Sequence, residues 1–455
     1  MNTGINYLKQ VVALGFILLL TSNLDITAQN GAVGKFGRLQ VNGNKVTAED
    51  GTEISLAGMS LFWSNAAWTL SDFYNKETVD HLANNWNASI VRAAVGVTET
   101  WDGGRGYIGN GTDFYAAGRE WKDAKEFNLV RLEAVIDAAI ANDIYVIVDW
   151  HTHEAEKYVN EAVEFFGYIS KKYGSNDHII YEIYNEPYGA RQGNPKTSWS
   201  TIKNYSRPVI AEIRKNDKDN LIVVGTSTWS QDVDEPAADQ NWINDPNIAY
   251  ALHFYANTAD HQQPLRNKAK LAMDAGIALF VTEFGSVSAD GNGGFNRNQT
   301  NQWINFLKNN KVSFVNWSLS DLNETSAVIT AKADPSNPSN SDLNGVQRFL
   351  NNDLTAPGNF MKSIVQQQNT LSAPEVILNG EQIKIYPLPA EDRITIEAED
   401  IINTISILDL TGKLLVTQQV SKLNPEVSTE ALTTGNYILK IEANGKTASA
   451  LITKK

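Results

Sequence analysis

Eight short apolar segments recur between residues 54 and 319, and they constrain the fold more than any other feature of the chain. All are rich in valine, isoleucine, leucine or aromatic residues, and they span residues 54–61, 89–95, 144–151, 179–185, 221–226, 248–255, 278–285 and 312–319. Near-continuous apolar runs of this length indicate strands that are buried on both faces, as in a parallel sheet.

Most of the intervals between these segments carry an amphipathic helical pattern. Between residues 127 and 142 the apolar positions fall on one stripe, and residues 162–173, 205–214 and 299–309 repeat the pattern. A strand–helix alternation repeated eight times predicts an α/β fold, and specifically a (β/α)8 barrel rather than an open sheet.

The character of the chain changes on both sides of the predicted barrel. Before the first strand, the turn signal Asn42-Gly43 between two short strand-like stretches predicts a hairpin that closes the barrel floor. We place the barrel domain at residues 37–365 and a linker, rich in glutamine and asparagine at its start, at residues 366–382. Residues 383–455 contain only short alternating strand patterns, which predict a small all-β, sandwich-like domain.

The N-terminus has the pattern of a secretory signal peptide, which we place at residues 1–28. Lys9 precedes an apolar run over residues 11–20, and a stretch of small residues ends near Ala28. The apolar run is too short to span a bilayer with ease, so we expect export and no membrane span in the mature protein. A membrane anchor is the alternative interpretation of the same run.

Composition excludes several classes of function. The chain has 52 acidic and 38 basic residues and a formal charge of −14, which argues against a nucleic acid or an anionic membrane as a partner. An uncharged polymer would be indifferent to this charge. The chain has no cysteine, which excludes disulfides, thiolate catalysis and zinc–cysteine sites.

Polar side chains collect where the predicted strands end. They lie at the ends of strands two, three, four, six, seven and eight: Arg92, Asp149, His151, His153, Asn185, Glu186, His253, Tyr255, Glu283 and Trp317. The C-terminal ends of barrel strands meet at one rim, where barrel enzymes carry their working residues. Burying so many polar groups is costly, so their convergence predicts an active site at this rim.

Two of these residues indicate the reaction class. Glu186 and Glu283 end strands four and seven, and they should face each other across the rim. Glycoside hydrolysis needs one protonated carboxyl group and one ionised carboxylate, and a separation of about 5–5.5 Å between them gives retention of configuration. We expect Arg92 to keep Glu283 ionised and Tyr255 to donate to it. Partial burial and the neighbouring negative charge should keep Glu186 protonated.

An ordered set of motifs resembles the glycoside hydrolase family 5 endoglucanases, and among them the bacterial cellulases. The matching motifs lie between Gly37 and Leu322 and include Arg92-Ala93-Ala94, Asp149-Trp150-His151, Tyr184-Asn185-Glu186-Pro187, Leu252-His253-Phe254-Tyr255, Val281-Thr282-Glu283-Phe284-Gly285 and Asn316-Trp317-Ser318-Leu319-Ser320-Asp321. The resemblance implies a retaining endo-β-1,4-glucanase that acts on cellulose and related β-glucans without a metal or a cofactor.

The resemblance also implies a role for individual residues. Glu186 matches the acid/base, Glu283 the nucleophile, and Asn185 the residue that holds the sugar 2-hydroxyl. The other substrate-binding positions that it implies are Arg92, His151, His253, Tyr255, Trp317, Trp229, Trp63, Trp68 and Glu324. Two positions depart from the family pattern: Phe284 replaces the usual tryptophan, and Leu322 replaces a sugar-binding lysine.

The tail resembles a second family, the C-terminal sorting domains of type IX secretion substrates from Bacteroidetes. The resemblance rests on Ile385-Tyr386-Pro387-Leu388-Pro389-Ala390, Ile407-Leu408-Asp409-Leu410-Thr411-Gly412-Lys413 and Gly435-Asn436-Tyr437. Leu388 replaces the usual asparagine. The resemblance implies a secreted or cell-surface protein and secretion machinery as a partner. A plain β-sandwich or a carbohydrate-binding module is the alternative for this region.

Other functions remain open from the sequence. His151-Thr152-His153, joined by Asp149 and His253, is a pattern found in metal-dependent hydrolases, although we favour a site without metal. The barrel could also serve as a β-mannanase, a xylanase or a lichenase. A glucan-binding protein without catalysis is the remaining alternative, and the presence of both glutamates argues against it.

Overall fold

The computed structural model describes residues 31–66, 71–98, 103–111, 115–116, 119–120, 123–190, 195–331, 343–370, 376–378, 381–388, 390–398, 400–409 and 412–454. The predicted signal peptide and Trp68 lie outside these residues. Within the described part of the chain, no helix combines the length and the apolar character needed to cross a lipid bilayer.

Eight parallel strands close into a barrel, which confirms the predicted fold. In chain order the strands are Ala57–Leu61, Ile90–Gly96, Tyr145–His151, Ile179–Glu182, Ile222–Val224, Ile248–Tyr255, Leu279–Gly285 and Phe314–Leu319. The eighth strand pairs with the first, Phe314 opposite Ala57, and this contact completes the ring. Every residue of these strands is buried, as expected for strands covered on both faces.

The fourth strand is shorter than the sequence suggested. It ends at Glu182, so Asn185 and Glu186 lie in the loop that follows rather than in the strand. The carbonyl groups of Asn185 and Pro187 accept hydrogen bonds from the loop after strand five instead of extending the sheet. Glu186 nevertheless remains at the C-terminal rim of the barrel.

Helices cover the outside of the barrel. The longer ones are Lys76–Trp86, Ala124–Ala141, Val159–Tyr173, Trp199–Asn216, Gln263–Asp274, Arg297–Asn309 and Ala356–Thr370, and shorter ones span Ala32–Phe36, Asp234–Ala238 and Gly345–Leu350. Side chains cap several N-termini: Asn75 accepts from the amide of Thr78, and Asp123 from that of Glu126. The four predicted helical intervals are all helical.

A hairpin closes the N-terminal end of the barrel, as predicted. Strand Gln40–Asn42 pairs antiparallel with Lys45–Thr47. The side chain of Asn247 ties the hairpin down, because its Oδ1 accepts from the amide of Val41 at 2.7 Å and its Nδ2 donates to the carbonyl of Leu39 at 2.9 Å. The hairpin packs its apolar residues against the lower layer of the barrel core.

The C-terminal region is an all-β sandwich, which confirms its predicted class. One sheet contains Val376–Leu378, Glu381–Tyr386, Arg393–Glu397 and Glu426–Ser428, and the other contains Leu414–Lys422, Ile402–Leu408, Gly435–Ala443 and Lys446–Lys454. All pairings between these strands are antiparallel. Buried isoleucines and leucines from both sheets form its core.

The structure corrects the predicted start of the linker. The last barrel helix, Ala356–Thr370, continues past Val365. Gln366 donates to the carbonyl of Asn85 at 2.9 Å, and Gln368 donates to that of Ser55 at 3.0 Å. This glutamine-rich stretch therefore belongs to the barrel domain, because two of its side-chain amides bind backbone carbonyl groups of the barrel.

Candidate active site

Two carboxylates lie close together at the C-terminal rim. Glu283 comes from the seventh strand, and Glu186 from the loop after the fourth. One oxygen of each carboxylate and one ring nitrogen of His253 lie within 4.8 Å of one another. The predicted pair therefore meets across the rim, at a distance that one sugar carbon could bridge.

A buried guanidinium group lies beneath this pair. Arg92 on the second strand has no exposed surface, and its Nη1 donates to Glu283 Oε2 at 2.9 Å. It also donates to Glu182 Oε2 at 2.7 Å and lies 2.9 Å from Asp149 Oδ2. A fourth contact, from Nη2 to Asn185 Oδ1 at 2.7 Å, orients that amide. Although burial opposes the charge, the surrounding carboxylates raise the pKa of Arg92, so it stays cationic.

Glu283 is held by two donors, as the sequence predicted. Tyr255 donates its hydroxyl to Glu283 Oε1 at 2.7 Å, while Arg92 occupies Oε2. Burial, and then the charge of Glu186, raise the pKa of Glu283, whereas His253, Arg92 and Tyr255 oppose this rise. A Cβ atom at Gly285 would lie 2.3 Å from the Tyr255 ring, so glycine here makes room for the tyrosine.

Glu186 is contacted by two histidines. His253 Nδ1 lies 2.9 Å from Glu186 Oε1, and His153 Nε2 lies 3.3 Å from Oε2. Burial favours the neutral acid, but these two contacts outweigh it and lower the pKa of Glu186 to about 2. Burial likewise opposes a charge on His253, but its contacts with Glu182 and Glu186 raise the pKa of His253 to about 9.

This result corrects one expectation from the sequence. Partial burial and a negative neighbour were expected to keep Glu186 protonated. The lowered pKa of Glu186 and the raised pKa of His253 instead favour the proton on His253, whose imidazole lies within hydrogen-bonding distance of the carboxylate. Glu186 and His253 together still hold one proton at neutral pH.

Two residues in this site were missed by the sequence analysis. Thr282 donates from Oγ1 to Glu182 Oε1 at 2.6 Å, and the same Oγ1 lies 2.9 Å from His253 Nε2. Arg92 and His253 lower the pKa of Glu182 although burial opposes them, so this carboxylate is ionised. An acidic residue in an otherwise apolar strand could have revealed Glu182. The sequence offers no comparable signal for Thr282, which is an ordinary residue for a strand.

An aromatic wall lines one side of the carboxylate pair. The rings of His151 and Trp317 stack at 5.2 Å with an interplanar angle of 1°, and Trp63 meets the His151 ring edge-on at 4.1 Å. His151 Nδ1 lies 2.5 Å from Asp149 Oδ2, which fixes the ring. Burial and the charge of Arg92 lower the pKa of His151, so it is neutral.

The cleft extends to both sides of the carboxylates. On the side of Trp317 and Trp63, its walls include Asp290 and Glu324. On the other side the walls include Trp229, together with polar groups from the loops after strands five and six: Thr228, Gln231, Thr258, Asp260 and His261. The structure thus brings the predicted site residues that it describes to one groove, except Arg92, which is buried beneath it.

The loop that carries Trp229 has an unusual backbone. Thr228, Trp229 and Ser230 have φ values of 57°, 53° and 57°, a left-handed turn that costs side-chain-bearing residues energy. The amide of Trp229 donates to the carbonyl of Pro187 at 2.8 Å, and Ser230 Oγ donates to that of Asn185 at 2.8 Å. The turn therefore holds the backbone on both sides of Glu186.

The site suits proton transfer better than it suits a metal ion. Glu186, His253 and Glu283 are close enough to share a cation. However, both nitrogens of His253 lie 2.9 Å from other partners, and Arg92 places a positive charge against Glu283. His151 and His153 also face different partners, Asp149 and Glu186, rather than a common centre.

Comparison with known proteins agrees with this geometry. The family profile described as "Cellulase (glycosyl hydrolase family 5)" matches residues 47–323, which is more than half of the chain. A second profile, "Secretion system C-terminal sorting domain", matches residues 384–455.

Individual relatives point to the same family. The chain is similar to Endoglucanase Z of Dickeya dadantii, with 49% identity over 63% of this chain and 60% of the relative. It is also similar to an endoglucanase of Clostridium saccharobutylicum, with 35% identity over 81% of this chain and 73% of the relative. The chain therefore matches less than two thirds of the length of Endoglucanase Z.

Solved structures show the same barrel. A structure from Cytophaga hutchinsonii is 40% identical and covers 74% of this chain and 97% of its own, with a TM-score of 0.62. The catalytic domain of Thermobifida fusca endoglucanase Cel5A, in complex with cellotetraose, is 29% identical and covers 74% of this chain and 99% of its own, with a TM-score of 0.61. The chain belongs to the cellulases of glycosyl hydrolase family 5 and carries a C-terminal secretion sorting domain.

Proposed function

We propose that the protein is a retaining endo-β-1,4-glucanase in which Glu186 is the acid/base and Glu283 the nucleophile. The observation that carries this proposal is the spacing of the two carboxylates, whose oxygens approach within 4.8 Å. Retaining glycosidases place their carboxyl groups about 5–5.5 Å apart, whereas inverting enzymes need about 6.5–9.5 Å to admit a water molecule.

In the first step, an oxygen of Glu283 forms a bond to the anomeric carbon while the glycosidic C–O bond breaks. Arg92 and Tyr255 stabilise the ionised form of Glu283 against burial and the charge of Glu186, and they hold its carboxylate towards that carbon. The proton on His253 Nδ1 passes across its 2.9 Å contact to Glu186, and Glu186 gives it to the departing sugar oxygen, which leaves His253 neutral and Glu186 ionised. In the second step Glu186 takes a proton from water, the water oxygen bonds to the anomeric carbon, and Glu283 leaves.

The groove fits a chain of sugar rings. Trp317, braced by His151, offers a flat surface beside the nucleophile, and Trp63 and Glu324 extend it on the same side. Asn185 is fixed by Arg92 at its oxygen, so its nitrogen is available to donate to a sugar hydroxyl. Trp229 lies on the opposite side and provides a surface for the leaving portion of the chain.

We propose β-1,4-glucan as the substrate, since the relatives named above are endoglucanases and one structure contains cellotetraose. Mannan, xylan and mixed-linkage glucan remain the competing substrates. Product analysis on carboxymethyl cellulose, glucomannan, xylan and lichenan, run side by side, tests the choice. The highest kcat/KM should be on the cellulose derivative or lichenan, and a preference for mannan or xylan would refute it.

The stereochemistry has its own test. Proton NMR of the first products from cellotetraose should show the β-anomer before mutarotation, and an initial α-anomer would refute the retaining mechanism. A protein that binds cellulose but yields no reducing ends would revive the binding-only alternative. Chelation should not alter the rate; a loss that zinc or manganese restores would favour the metal alternative.

We further propose that the protein is exported, with residues 1–28 as the signal peptide and residues 383–455 as the sorting domain that engages secretion machinery. The catalytic unit then extends from about residue 37 to Thr370, where the last barrel helix ends. Deleting residues 383–455 should leave the enzyme active but retained in the cell, which fractionation of the culture measures. Continued release of the truncated protein would contradict the sorting role.

A further inference from the structure

The hydrogen bonds around Thr282 determine where protons lie on His253. Glu182 is ionised and can only accept, so the single proton of the Thr282 hydroxyl must point to Glu182 Oε1, 2.6 Å away. Thr282 Oγ1 can then only accept from His253 Nε2, 2.9 Å away. His253 Nε2 therefore carries a hydrogen in either charge state.

This assignment fixes the other side of the ring. His253 Nδ1 lies 2.9 Å from Glu186 Oε1. With Nε2 already protonated, a hydrogen bond here needs one further proton, either on Nδ1 as imidazolium or on Glu186 as a carboxylic acid. Without that proton, the lone pair of His253 Nδ1 would face the ionised carboxylate of Glu186 and repel it. The contact is thus built to retain one proton.

We propose that Thr282 is a positioning residue that selects the Nε2–H tautomer of His253, so that the His253–Glu186 contact stores the proton delivered to the leaving group. The proposal rests on the acid/base role proposed for Glu186. During bond cleavage the proton passes from Nδ1 to Glu186 and on to the sugar oxygen, which leaves His253 neutral. Water returns a proton to Glu186 in the second step, and it passes back to Nδ1.

Without the Thr282 hydroxyl the ring would lose this constraint. A neutral His253 could then place its only proton on Nδ1 and still donate to ionised Glu186, so the stored proton would be released at lower pH. The other charged and titratable groups around the pair would stay as they are. Those that face His253 and Glu186 from the neighbouring strands and loops are Glu182, Glu283, Asp149, Arg92, His151, His153, Tyr255 and His261.

The test compares Thr282→Val with Thr282→Ser in the full chain. Valine keeps the shape of this fully buried residue and removes the hydroxyl, whereas serine keeps the hydroxyl. kcat/KM is measured against pH for cellotetraose, whose leaving group needs a proton, and for 2,4-dinitrophenyl β-cellobioside, whose first step does not. Wild-type activity on cellotetraose should fall at high pH as the stored proton is lost.

We expect Thr282→Val to move this basic limb to lower pH and to reduce kcat/KM on cellotetraose at pH 8 by at least about tenfold. The kcat/KM on the activated substrate should fall far less, and the basic limb of Thr282→Ser should match that of the wild type. Equal losses on both substrates with an unmoved limb, or an unchanged Thr282→Val profile, would overturn the proposal and leave Thr282 a packing residue.

A second measurement does not depend on turnover. Histidine ¹⁵N NMR of the wild-type protein should show a directly bonded hydrogen on His253 Nε2 across the accessible pH range, and the signal should weaken in Thr282→Val. If valine prevents folding, Thr282→Ala serves, since it introduces no larger atom. A wild-type His253 with bare Nε2 would overturn the proposal. Failure of the glucanase function itself would appear separately, as wild-type protein inactive on both substrates.

Discussion

Replacing Tyr255 by phenylalanine isolates one hydrogen bond to the proposed nucleophile. The ring is buried and packs with Trp317 and Ala94, so Tyr255→Phe removes only the hydroxyl that donates to Glu283 Oε1 at 2.7 Å. A hydrogen bond to a charged group contributes about 1.5–3 kcal/mol. Its loss disfavours the ionised carboxylate, because the donor stabilises that form.

The expected shift follows from this free energy. One pH unit corresponds to 1.36 kcal/mol, so the loss should displace the titration of Glu283 upwards by about 1–2 pH units. The proposed nucleophile acts in its ionised form, so the acidic limb of the kcat/KM profile should move to higher pH by the same amount. The basic limb, which reports the His253–Glu186 proton, should stay in place.

The assay is kcat/KM for cellotetraose across the pH range, with thermal unfolding to confirm that the barrel is intact. Tyr181→Phe is the matched control. Tyr181 is also buried and donates to a carboxylate, Asp217 Oδ2, at the same 2.7 Å, but on the outer side of the barrel. The Tyr181→Phe variant should be less stable than the wild type, but neither limb of its kcat/KM profile against pH should move. An unmoved or downward acidic limb in Tyr255→Phe would refute the role given to this hydroxyl.

Three further variants test other parts of the site. Glu283→Gln should reduce kcat on cellotetraose by at least about a thousandfold while the Kd of cellotetraose by calorimetry stays similar, and a normal rate would remove Glu283 as nucleophile. Glu186→Ala should spare the pre-steady-state burst of dinitrophenol from the activated cellobioside but abolish turnover of cellotetraose; equal losses would argue against an acid role. Gly189→Ala places a Cβ 2.2 Å from the Trp229 ring, so KM for longer oligosaccharides should rise while hydrolysis of the activated cellobioside is retained, and an unchanged KM would deny Trp229 a binding role.

For Glu186, the local sequence pattern predicts the position of the residue but not its protonation state. Its place at the rim could be predicted because it follows a buried apolar strand, and strand ends converge in a barrel. Its protonation could not be predicted, because it depends on His153, from the loop after strand three, and on His253, from strand six. Partial burial and a negative neighbour suggested a neutral acid, and two contacts from distant segments reversed that result.

Polar residues with no distinctive local pattern were harder to find. Thr282 looks like any strand threonine until the barrel register sets His253 opposite Glu283, which places Thr282 between His253 and Glu182. The left-handed turn at residues 228–230 likewise contains no glycine, which is the usual sequence signal for such a backbone. Its backbone is held by the carbonyls of Asn185 and Pro187, which the chain meets only after folding.

The sequence by itself determined the eight strands, their alternation with helices, the small β-domain and the opposition of Glu186 to Glu283. These depend on which side chains are apolar and on their order along the chain, and both are local properties. The tertiary structure alone decided where the last helix ends, which carboxylates contact Arg92 and which groups set the pKa values of Glu186 and His253. Those outcomes depend on hydrogen bonds a few ångströms long between segments far apart in sequence, and such distances exist only once the barrel has closed.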